Sequence, residues 1–470
     1  MNLAGSRIAV AGMGRSGQAI AKEAIARGAV VTVFDELPLE SAASLEASER
    51  LQGFGVTVAT GWHGHLDPTE FDLLVASPGF RRNHPAIRDM LGGGRHVISE
   101  VEFAFRIAAA PIVAITGTNG KSTTTVLTWL LLSGAGKHAV LCGNISGSGY
   151  PELTLTEAAA STETDGVLVA EVSSYQLEWV EDFKPKVAGI TNITPDHLDR
   201  HPTFEDYYNT KLRLFAQMGD GDVAVLNESE PSLPADRLLG AIPEGVGIRT
   251  FASGPVMYGW DRGQFTQPST RRDGDAIELS GRRVQLADLP LYGDHNVSNA
   301  LMAWEMSVAM LGAEAGNAFE GMLGALAQFK GLAYRMERLG ERYGVLVVNN
   351  SMCTNPMAVV TSSSSLDRPQ HLLMGGDAKN LDFTPVWEYL QRIGHKLYLY
   401  GNAGDALVEQ LGGLGALYPD LEAAFAAATA VAQSGDAILL APGCASAFPY
   451  SNFRERGEAF RAMAERWLSS

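Results

Sequence analysis

The chain has 470 residues, and its 36 Lys and Arg against 53 Asp and Glu give a formal net charge of −17. This acidic balance disfavours a nucleic-acid or anionic-membrane partner, and the length predicts about three domains. The three cysteines lie far apart with no metal-ligand spacing, and the longest apolar runs are far too short to cross a bilayer. We therefore expect a cytoplasmic protein with reduced thiols, no secretory signal and no membrane partner.

The first block of the chain, which runs to about Arg106, predicts a βαβ unit of the dinucleotide-binding type. Strand, helix and strand are predicted over 7–11, 18–27 and 30–34. The glycine turn Gly12–Gly17 suits the pyrophosphate of any nucleotide, and Asp35 lies where an acid accepts from a ribose hydroxyl or a base N–H. The alternative for Asp35 is a strand-end turn residue, but the register of strand, glycine turn and acid favours a nucleotide contact. Residues 72–79 predict a further parallel-type strand that turns at a Pro-Gly pair.

The second block contains the most informative motif, the glycine loop Gly117-Thr-Asn-Gly-Lys-Ser-Thr123. An apolar strand precedes this loop and an amphipathic helical segment follows it, so backbone N–H groups and the helix dipole face a polyphosphate. Lys121 supplies a charge for the outer phosphates, and Ser122 or Thr123 supplies a hydroxyl for Mg²⁺. The alternative is a turn with a surface lysine, but the flanking elements favour ATP or GTP binding.

Polar side chains cluster where further apolar strands of this block end. The strands are predicted over 138–141, 166–170, 187–190 and 222–226, and the polar residues are Asn144, Glu171, Asn192, Asp196 and His197. Because ligands of an open parallel sheet bind at the carboxyl ends of its strands, we expect these residues to ring one site. A carboxylate and a neutral imidazole suit Mg²⁺, whereas a lone strand-end histidine is often structural.

The rest of the second block predicts a hairpin and a helix. Residues 276–286 alternate as in an antiparallel hairpin. A helix opens at Gly293, with Asn296 and Asn299 one turn apart on the same face. Lys211, in a polar helical stretch, is by itself expected to be a solvated surface lysine.

The third block begins near Gly331 and predicts another doubly wound sheet. Its strands are predicted over 344–348, 371–374, 396–400 and 437–440. The expected fold is therefore α/β with three domains. These are a Rossmann-like N-terminal domain over 1–107, a P-loop-type central ATPase domain over 108–330 and a Rossmann-like C-terminal domain over 331–470.

Several motifs of the chain resemble those of the Mur ligases, the ATP-dependent amide-forming enzymes of peptidoglycan precursor synthesis. The central motifs are Gly117–Ser122, Glu171–Glu178, Asn192–Arg200 and His295–Asn299. Supporting matches are 75–79, His84-Pro85, 373–377, 444–446 and 452–453. The resemblance runs in order through nearly the whole chain, and its first and last blocks favour the branch that adds glutamate.

This resemblance implies a reaction. The carboxylate that ends UDP-MurNAc-L-alanine would attack the γ-phosphate of ATP to form an acyl phosphate. The amino group of glutamate, expected to be D-glutamate, would then displace phosphate. ATP and Mg²⁺ are the implied cofactors, and we expect a monomer with these two small-molecule substrates.

The resemblance also implies roles for residues of all three blocks. The catalytic residues would be Lys121, Glu171, His197 and Lys211. The ATP-binding residues would be Gly117, Asn119, Gly120, Lys121, Ser122, Thr123, Asn296, Asn299 and Arg335. The metal ligands would be Ser122, Glu171, His197 and Lys211, the last in carbamylated form. The UDP-substrate residues would be Gly14, Arg15, Ser16, Asp35, Asn144 and Ser173, and the amino-acid residues Thr354, Lys379, Ser446 and Phe453.

Three departures from the family pattern bear on the chemistry. Asn350 and Met352 replace an acid and a lysine of the family's usual Asp-Ser-Lys-Ala-Thr-Asn motif, and Tyr334 replaces a histidine. Losing a lysine beside a developing negative charge costs ~2–4 kcal/mol if nothing compensates. Alternatives therefore stay open: a related ligase that adds L-glutamate or another amino acid or extends a folate chain, or an inactive nucleotide-binding homologue. A dehydrogenase does not explain the phosphate loop.

Overall fold

The chain folds into two units. The structure is a computed structural model that describes residues 3–38, 40, 42–197, 200–257, 268–377, 381–393, 395–446 and 449–470. One unit comprises Met1–Ser146 and Pro151–Phe329, and the other comprises Gly147–Tyr150 and Lys330–Ser470.

The first unit begins with a five-stranded parallel sheet of strand order β3-β2-β1-β4-β5. Its elements are β1 (Arg7–Ala11), α1 (Arg15–Ala26), β2 (Val30–Asp35), α2 (Ala42–Gly53), β3 (Thr57–Thr60), β4 (Leu73–Ala76), α3 (Pro85–Gly92), β5 (His96–Ser99) and α4 (Glu100–Ile107). A Cβ at Gly17 of α1 would lie 1.8 Å from the carbonyl oxygen of Gly12, so this glycine permits the close approach of turn and helix. The strand order reverses between β1 and β4, which opens a crevice at their carboxyl ends.

The second sheet of this unit has six parallel strands in the order β11-β10-β9-β6-β8-β7. Its strands are β6 (Ile112–Thr116), β7 (Ala139–Gly143), β8 (Val167–Glu171), β9 (Val187–Ile190), β10 (Val223–Asn227) and β11 (Gly247–Phe251). The helices of this region are α5 (Lys121–Gly134), α6 (Leu155–Ser161), α7 (Ser174–Leu177), α8 (Phe204–Leu212), α9 (Ala235–Ala241), α10 (Asp294–Leu311) and α11 (Ala315–Ala327). A three-stranded antiparallel sheet is formed by β12 (Arg271–Asp273), β13 (Ala276–Leu279) and β14 (Arg282–Gln285). Because β6 is buried along its whole length, its sequence is continuously apolar up to the phosphate loop.

The second unit has a six-stranded sheet of order β15-β16-β20-β17-β18-β19, in which β15 is antiparallel to its neighbour. Its strands are β15 (Glu337–Arg342), β16 (Val345–Asn349), β17 (Gln370–Gly375), β18 (Lys396–Tyr400), β19 (Ala416–Tyr418) and β20 (Ala437–Gly443). Its helices are α12 (Pro356–Ser364), α13 (Thr384–Ile393), α14 (Gly404–Gln410), α15 (Leu421–Val431) and α16 (Phe453–Ser469). The carboxyl ends of β16, β17 and β20 therefore meet at one edge of the sheet.

The predicted α/β class is confirmed, and the predicted strands lie at or within a few residues of the observed ones. Residues 187–190 and 396–400 coincide with β9 and β18. The helix predicted from residue 18 begins at Arg15, because Gly14 is already extended and acts as its N-cap. The three-domain boundaries stay a prediction. In the described part of the chain, no helix is both long and apolar enough to span a membrane.

Candidate active site

The phosphate loop joins β6 to α5 and takes a conformation that requires its two glycines. Gly117 and Gly120 have φ angles of 145° and 82°. A Cβ at Gly117 would lie 1.9 Å from Thr191 Oγ1, and one at Gly120 would lie 2.4 Å from Asn299 Oδ1. The segment after β9 holds the loop from outside: the Asn119 N–H donates to Asn192 Oδ1 at 3.0 Å. These contacts hold the loop in this conformation.

The first turn of α5 carries the predicted phosphate and metal residues. The Lys121 ammonium donates to the carbonyl oxygen of Thr118 at 2.9 Å, which holds it over its own loop. The Ser122 hydroxyl, almost fully buried, donates to Glu171 Oε2 at 2.6 Å. Thr123 is half-buried one residue further along the same turn.

Glu171 is the buried acid of the site, at the end of β8 and only 2% exposed. Its second oxygen accepts from Asn144 Nδ2 at 2.8 Å. The structure thus brings three predicted residues together as an oxygen-rich set, which fits a hard cation such as Mg²⁺. Within the described ranges, no group of three or more His, Cys, Asp and Glu side chains forms a metal cage. A set of this kind suits an ion that also binds substrate phosphates.

Lys211 lies on α8 and is 1% exposed, so the expectation of a solvated surface lysine is wrong. Its Nζ donates to the Gly117 carbonyl oxygen at 2.7 Å and lies 4.7 Å from the centre of the Tyr207 ring. Burial, reinforced by the charge of Lys121, holds the pKa of Lys211 well below its usual value. Burial thus disfavours the charged form of this amine relative to a surface lysine.

His197 stands at the margin of this cluster, with a side chain about half exposed and a φ of 55°. Its Nδ1 lies 2.9 Å from the Tyr175 hydroxyl, and its Nε2 lies 3.6 Å from an Asp196 carboxylate oxygen. The buried histidine of this segment is instead His201, which bonds to Asp206 and to the Ser174 hydroxyl.

Asn296 and Asn299 lie on the first turns of α10, as predicted. Asn299 Nδ2 donates to Asn296 Oδ1 at 3.4 Å, and Asn299 Oδ1 accepts from the Thr124 hydroxyl at 3.3 Å. Since Asn299 also crowds Gly120, α10 contributes directly to the wall of the phosphate loop.

The N-terminal sheet has a cavity of about 520 Å³ at the carboxyl ends of β2 and β4. Its lining residues are Asp35, Glu36, Leu37, Gly79, Phe80, Arg81, Asn83, His84 and Pro85. The Asp35 carboxylate accepts from the Met13 and Leu37 N–H groups at 2.8 and 2.9 Å, so it shapes the glycine turn as well as lining the cavity.

The other residues predicted for the UDP-substrate lie on two helix N-termini. Gly14 is the N-cap of α1, and Arg15 and Ser16 are its first residues. The Arg15 guanidinium lies 3.6 Å from a Glu152 carboxylate oxygen. Ser173 is the N-cap of α7, where its hydroxyl accepts from the Gln176 N–H.

The residues predicted for the amino acid belong to the second unit. Thr354 follows β16, Ser446 follows β20, and Phe453 begins α16. The Ser446 hydroxyl is buried and has no hydrogen-bond partner in the part of the chain described here. Lys379 lies outside the described residues. Arg335, predicted for ATP, is exposed in the segment before β15.

The three departures from the family pattern lie close together in this unit. The Met352 N–H donates to the Tyr334 carbonyl oxygen at 3.1 Å, and the Tyr334 hydroxyl donates to Glu458 at 2.5 Å. Asn350 Oδ1 accepts from the Met336 N–H at 3.2 Å. The Asn350 side chain thus accepts from a backbone N–H, whereas the contact between Met352 and Tyr334 is a backbone hydrogen bond that does not involve the Met352 side chain.

Arg456 is a residue of this region that the sequence analysis missed. It is fully buried on α16, and its guanidinium donates to the Ser351 carbonyl at 2.8 Å, the Cys444 carbonyl at 3.2 Å and the Gly375 carbonyl at 3.3 Å. One cation thus holds the loops that follow β16, β17 and β20. In the sequence it is one of several charged residues on a polar helix, and no local signal distinguishes it.

The glycine loop lies at the N-terminus of a helix, beside a buried carboxylate and a buried lysine. This arrangement is typical of α/β enzymes that bind a nucleotide. The family model of the Mur ligase middle domain matches residues 115–307, and that of the Mur ligase glutamate ligase domain matches residues 334–444. The chain belongs to the Mur ligase family.

Curated relatives extend this similarity over the full length. A protein of Geotalea uraniireducens named UDP-N-acetylmuramoylalanine–D-glutamate ligase is 36% identical over 469 residues, with 98% of each chain covered. A protein of the same name from Caldanaerobacter subterraneus is 34% identical over 470 residues, again with 98% of each chain covered. A crystal structure of MurF from Acinetobacter baumannii shares the fold, with a TM-score of 0.54 and 15% identity over 99% of this chain and 93% of that one.

Proposed function

We propose that the chain is an ATP-dependent ligase that joins D-glutamate to UDP-N-acetylmuramoyl-L-alanine in peptidoglycan precursor synthesis. The observation that carries the proposal is the group formed by Ser122, Glu171 and Lys211 around the phosphate loop. The relatives that share this name over their full length support the choice of substrates.

The reaction has two displacements. A carboxylate oxygen of the alanyl group attacks the γ-phosphorus of ATP, the bond to ADP breaks, and an acyl phosphate forms. The amino group of glutamate attacks the acyl carbon, phosphate leaves with the bond's electron pair, and the nitrogen loses a proton. Lys121 and the backbone N–H groups of Gly117–Ser122 bind the phosphates of ATP through both steps. Asn296 and Asn299 bind the nucleotide, and Arg335 binds the γ-phosphate.

Mg²⁺ offsets the negative charge that gathers on the transferred phosphoryl group. Ser122 and Glu171 would hold one ion, because a hydroxyl and a carboxylate oxygen already lie 2.6 Å apart there. His197 and a modified Lys211 would hold a second.

The modification proposed for Lys211 is carbamylation. A neutral lysine amine adds to CO₂, a C–N bond forms, and the nitrogen loses a proton, so that a cation becomes a carboxylate. The buried environment of Lys211 supports this step, because burial lowers its pKa and so favours the neutral amine more than water does. A carboxylate there would also attract Lys121, whereas an ammonium repels it.

The UDP-substrate would occupy the carboxyl ends of the N-terminal sheet and of the second sheet, and glutamate would occupy the carboxyl end of the sheet of the second unit. Asp35 and the Gly14–Ser16 turn would bind the uracil nucleotide, and Asn144 and Ser173 the sugar end. Thr354 and Lys379 would anchor the α-carboxylate of glutamate, and Ser446 and Phe453 its side-chain carboxylate. The Ser446 hydroxyl, which has no hydrogen-bond partner among the described residues, and the buried charge of Arg456 support an anionic ligand in that region. We further propose a cytoplasmic monomer that acts on these small molecules without nucleic-acid or membrane partners.

The test is the release of phosphate from ATP with UDP-MurNAc-L-alanine, screened across D- and L-amino acids. Release that depends on D-glutamate is expected. Because Met352 replaces a lysine, preference for another amino acid is the main alternative outcome, and it would identify a related ligase. No release with any amino acid, despite ATP binding, would indicate an inactive homologue and refute the proposal.

A further inference from the structure

The loop between β4 and α3 lines the cavity of the N-terminal sheet and also reaches the second sheet. Gly79, Phe80, Arg81 and Asn83 line the cavity. The side chain of Arg82, between them, extends to helix α8. Its Nη1 lies 2.8 Å from Asp206 Oδ1, and its Nη2 donates to the Thr210 hydroxyl at 2.9 Å.

A second arginine, Arg200, also holds this loop. Arg200 Nη1 donates to the Pro78 carbonyl at 2.9 Å, and its Nη2 donates to the Phe80 carbonyl at 2.7 Å. The same guanidinium pairs with the buried Glu178 at 2.6 Å. The Pro78 and Phe80 carbonyls at the base of the loop are therefore held by Arg200, and Arg82 lies beyond them towards the tip of the loop.

Helix α8 is the element that carries Lys211, directly after Thr210. Asp206 receives two partners, Arg82 on one oxygen and His201 on the other. Although burial acts in the opposite direction, the hydrogen bonds from Arg82 and His201 hold the pKa of Asp206 below its usual value. The carboxylate is thus ionised and paired near neutral pH. A continuous set of contacts runs from the cavity loop through Arg82 to α8, and Lys211 ends it at the Gly117 carbonyl.

We propose that Arg82 is a positioning residue that couples occupation of the N-terminal cavity by a uridine nucleotide to the placement of Lys211 beside the phosphate loop. This inference rests on the proposed function, since it takes the cavity as the UDP-substrate site. A ligand that moves or orders the loop at 79–83 moves the guanidinium, which transmits the displacement to Asp206 and Thr210. The two arginine side chains differ in role: Arg200 fixes the base of the loop, and Arg82 follows its tip.

Partial burial makes this ion pair effective. The Arg82 and Asp206 side chains are 38% and 29% exposed, so solvent screens the pair less than it screens a surface pair. Two hydrogen bonds in different directions also fix the guanidinium orientation, which a lysine cannot reproduce with a single ammonium. Coupling between two sites through such an element typically changes affinity by about 5- to 150-fold.

The experiment measures the affinity of a non-hydrolysable ATP analogue with Mg²⁺, by calorimetry, with and without saturating UDP-MurNAc-L-alanine. No glutamate is present, so turnover is not required. In the native protein we expect the UDP-substrate to tighten analogue binding by about 5-fold or more. In Arg82→Ala the affinity for the analogue alone should stay within about 2-fold, but the tightening should fall below about 2-fold. Arg82→Lys should retain part of it, because a lysine still reaches Asp206.

Arg88→Ala is the matched control, since it removes an exposed arginine from the adjacent helix α3 and should leave the tightening unchanged. If Arg82→Ala lowers only the melting temperature and the UDP-substrate still tightens analogue binding as in the native protein, Arg82 is a structural contact. That result would overturn the inference about Arg82 but not the proposed function. If the UDP-substrate does not tighten analogue binding in the native protein, the inference is also overturned, whatever the ligase activity of the protein. Failure of the native protein to bind UDP-MurNAc-L-alanine at all would overturn both the inference and the proposed function.

Discussion

The substitution Glu171→Gln should separate activity from stability. The carboxylate accepts one hydrogen bond from Ser122 and one from Asn144, and both partners can adapt to an amide. Asn144 still donates to the amide oxygen, while the Ser122 hydroxyl rotates and accepts from the amide nitrogen. The loss of charge from two hydrogen bonds destabilises the folded protein, whereas the removal of a buried charge stabilises it. We therefore expect a change in the free energy of unfolding within about 1 kcal/mol, or about 2–4 °C in Tm.

Activity should respond very differently. If Glu171 holds Mg²⁺ at the transferred phosphoryl group, its loss removes charge stabilisation that the amide cannot replace. Loss of one such group typically lowers kcat by about 10²- to 10³-fold, or ~2.7–4 kcal/mol. The assay is phosphate release with all three substrates at several Mg²⁺ concentrations, alongside thermal unfolding of the same preparation.

Glu100→Gln is the matched control, because Glu100 is another buried carboxylate of the same unit. It accepts from the Thr156 N–H and hydroxyl and from Gln176 Nε2, and burial raises its pKa. An amide there would face the Gln176 amide nitrogen, so stability should fall by about 1–3 kcal/mol while kcat stays within ~3-fold. The reasoning is refuted if Glu171→Gln keeps near-native activity, or if its activity loss only follows a loss of folded protein.

Four further substitutions test the proposed site. Lys121→Ala should abolish phosphate release with little change in Tm, since it removes a partly exposed charge from the first turn of α5 rather than from the core; normal turnover would exclude the phosphate role. Lys211→Ala should lose most activity, and acetate or bicarbonate should restore part of it, because a small acid can occupy the space of the carbamate; activity without any additive would exclude carbamylation. Lys379→Ala should raise the KM for glutamate and lower kcat together, whereas Met352→Lys should be tolerated; unchanged glutamate kinetics in the Lys379 variant would place the amino acid elsewhere.

Buried parallel strands were the most predictable part of the fold. Strands β9 and β18 are buried along most of their length, so their sequences are continuous apolar runs with clear ends. Strands at the sheet edges, such as β3 and β19, are short and half exposed, and their sequences do not alternate clearly enough to indicate a strand. The sequence analysis therefore missed them.

The residues of the candidate site were likewise predictable only where the local sequence carries a signal. The loop residues and Glu171 could be found because glycines and an acid at strand ends carry a local signal. The burial of Lys211 depends on Gly117, 94 residues away, and nothing around Lys211 in the sequence predicts it. Arg82 and Arg456 were missed for the same reason, since their partners lie 124 and 105 residues away. Only the tertiary structure brings these groups together.

If the chain activates the carboxylate as an acyl phosphate, one carboxylate oxygen leaves with the phosphate and the other stays in the amide. The measurement uses UDP-MurNAc-L-alanine with both carboxylate oxygens replaced by ¹⁸O, together with ATP and D-glutamate, and follows the phosphate by mass spectrometry. We expect one ¹⁸O atom in each phosphate released, with the other retained in the new amide. Phosphate that carries no ¹⁸O while the amide forms would show that the carboxylate never attacks phosphorus, and would contradict the acyl-phosphate mechanism.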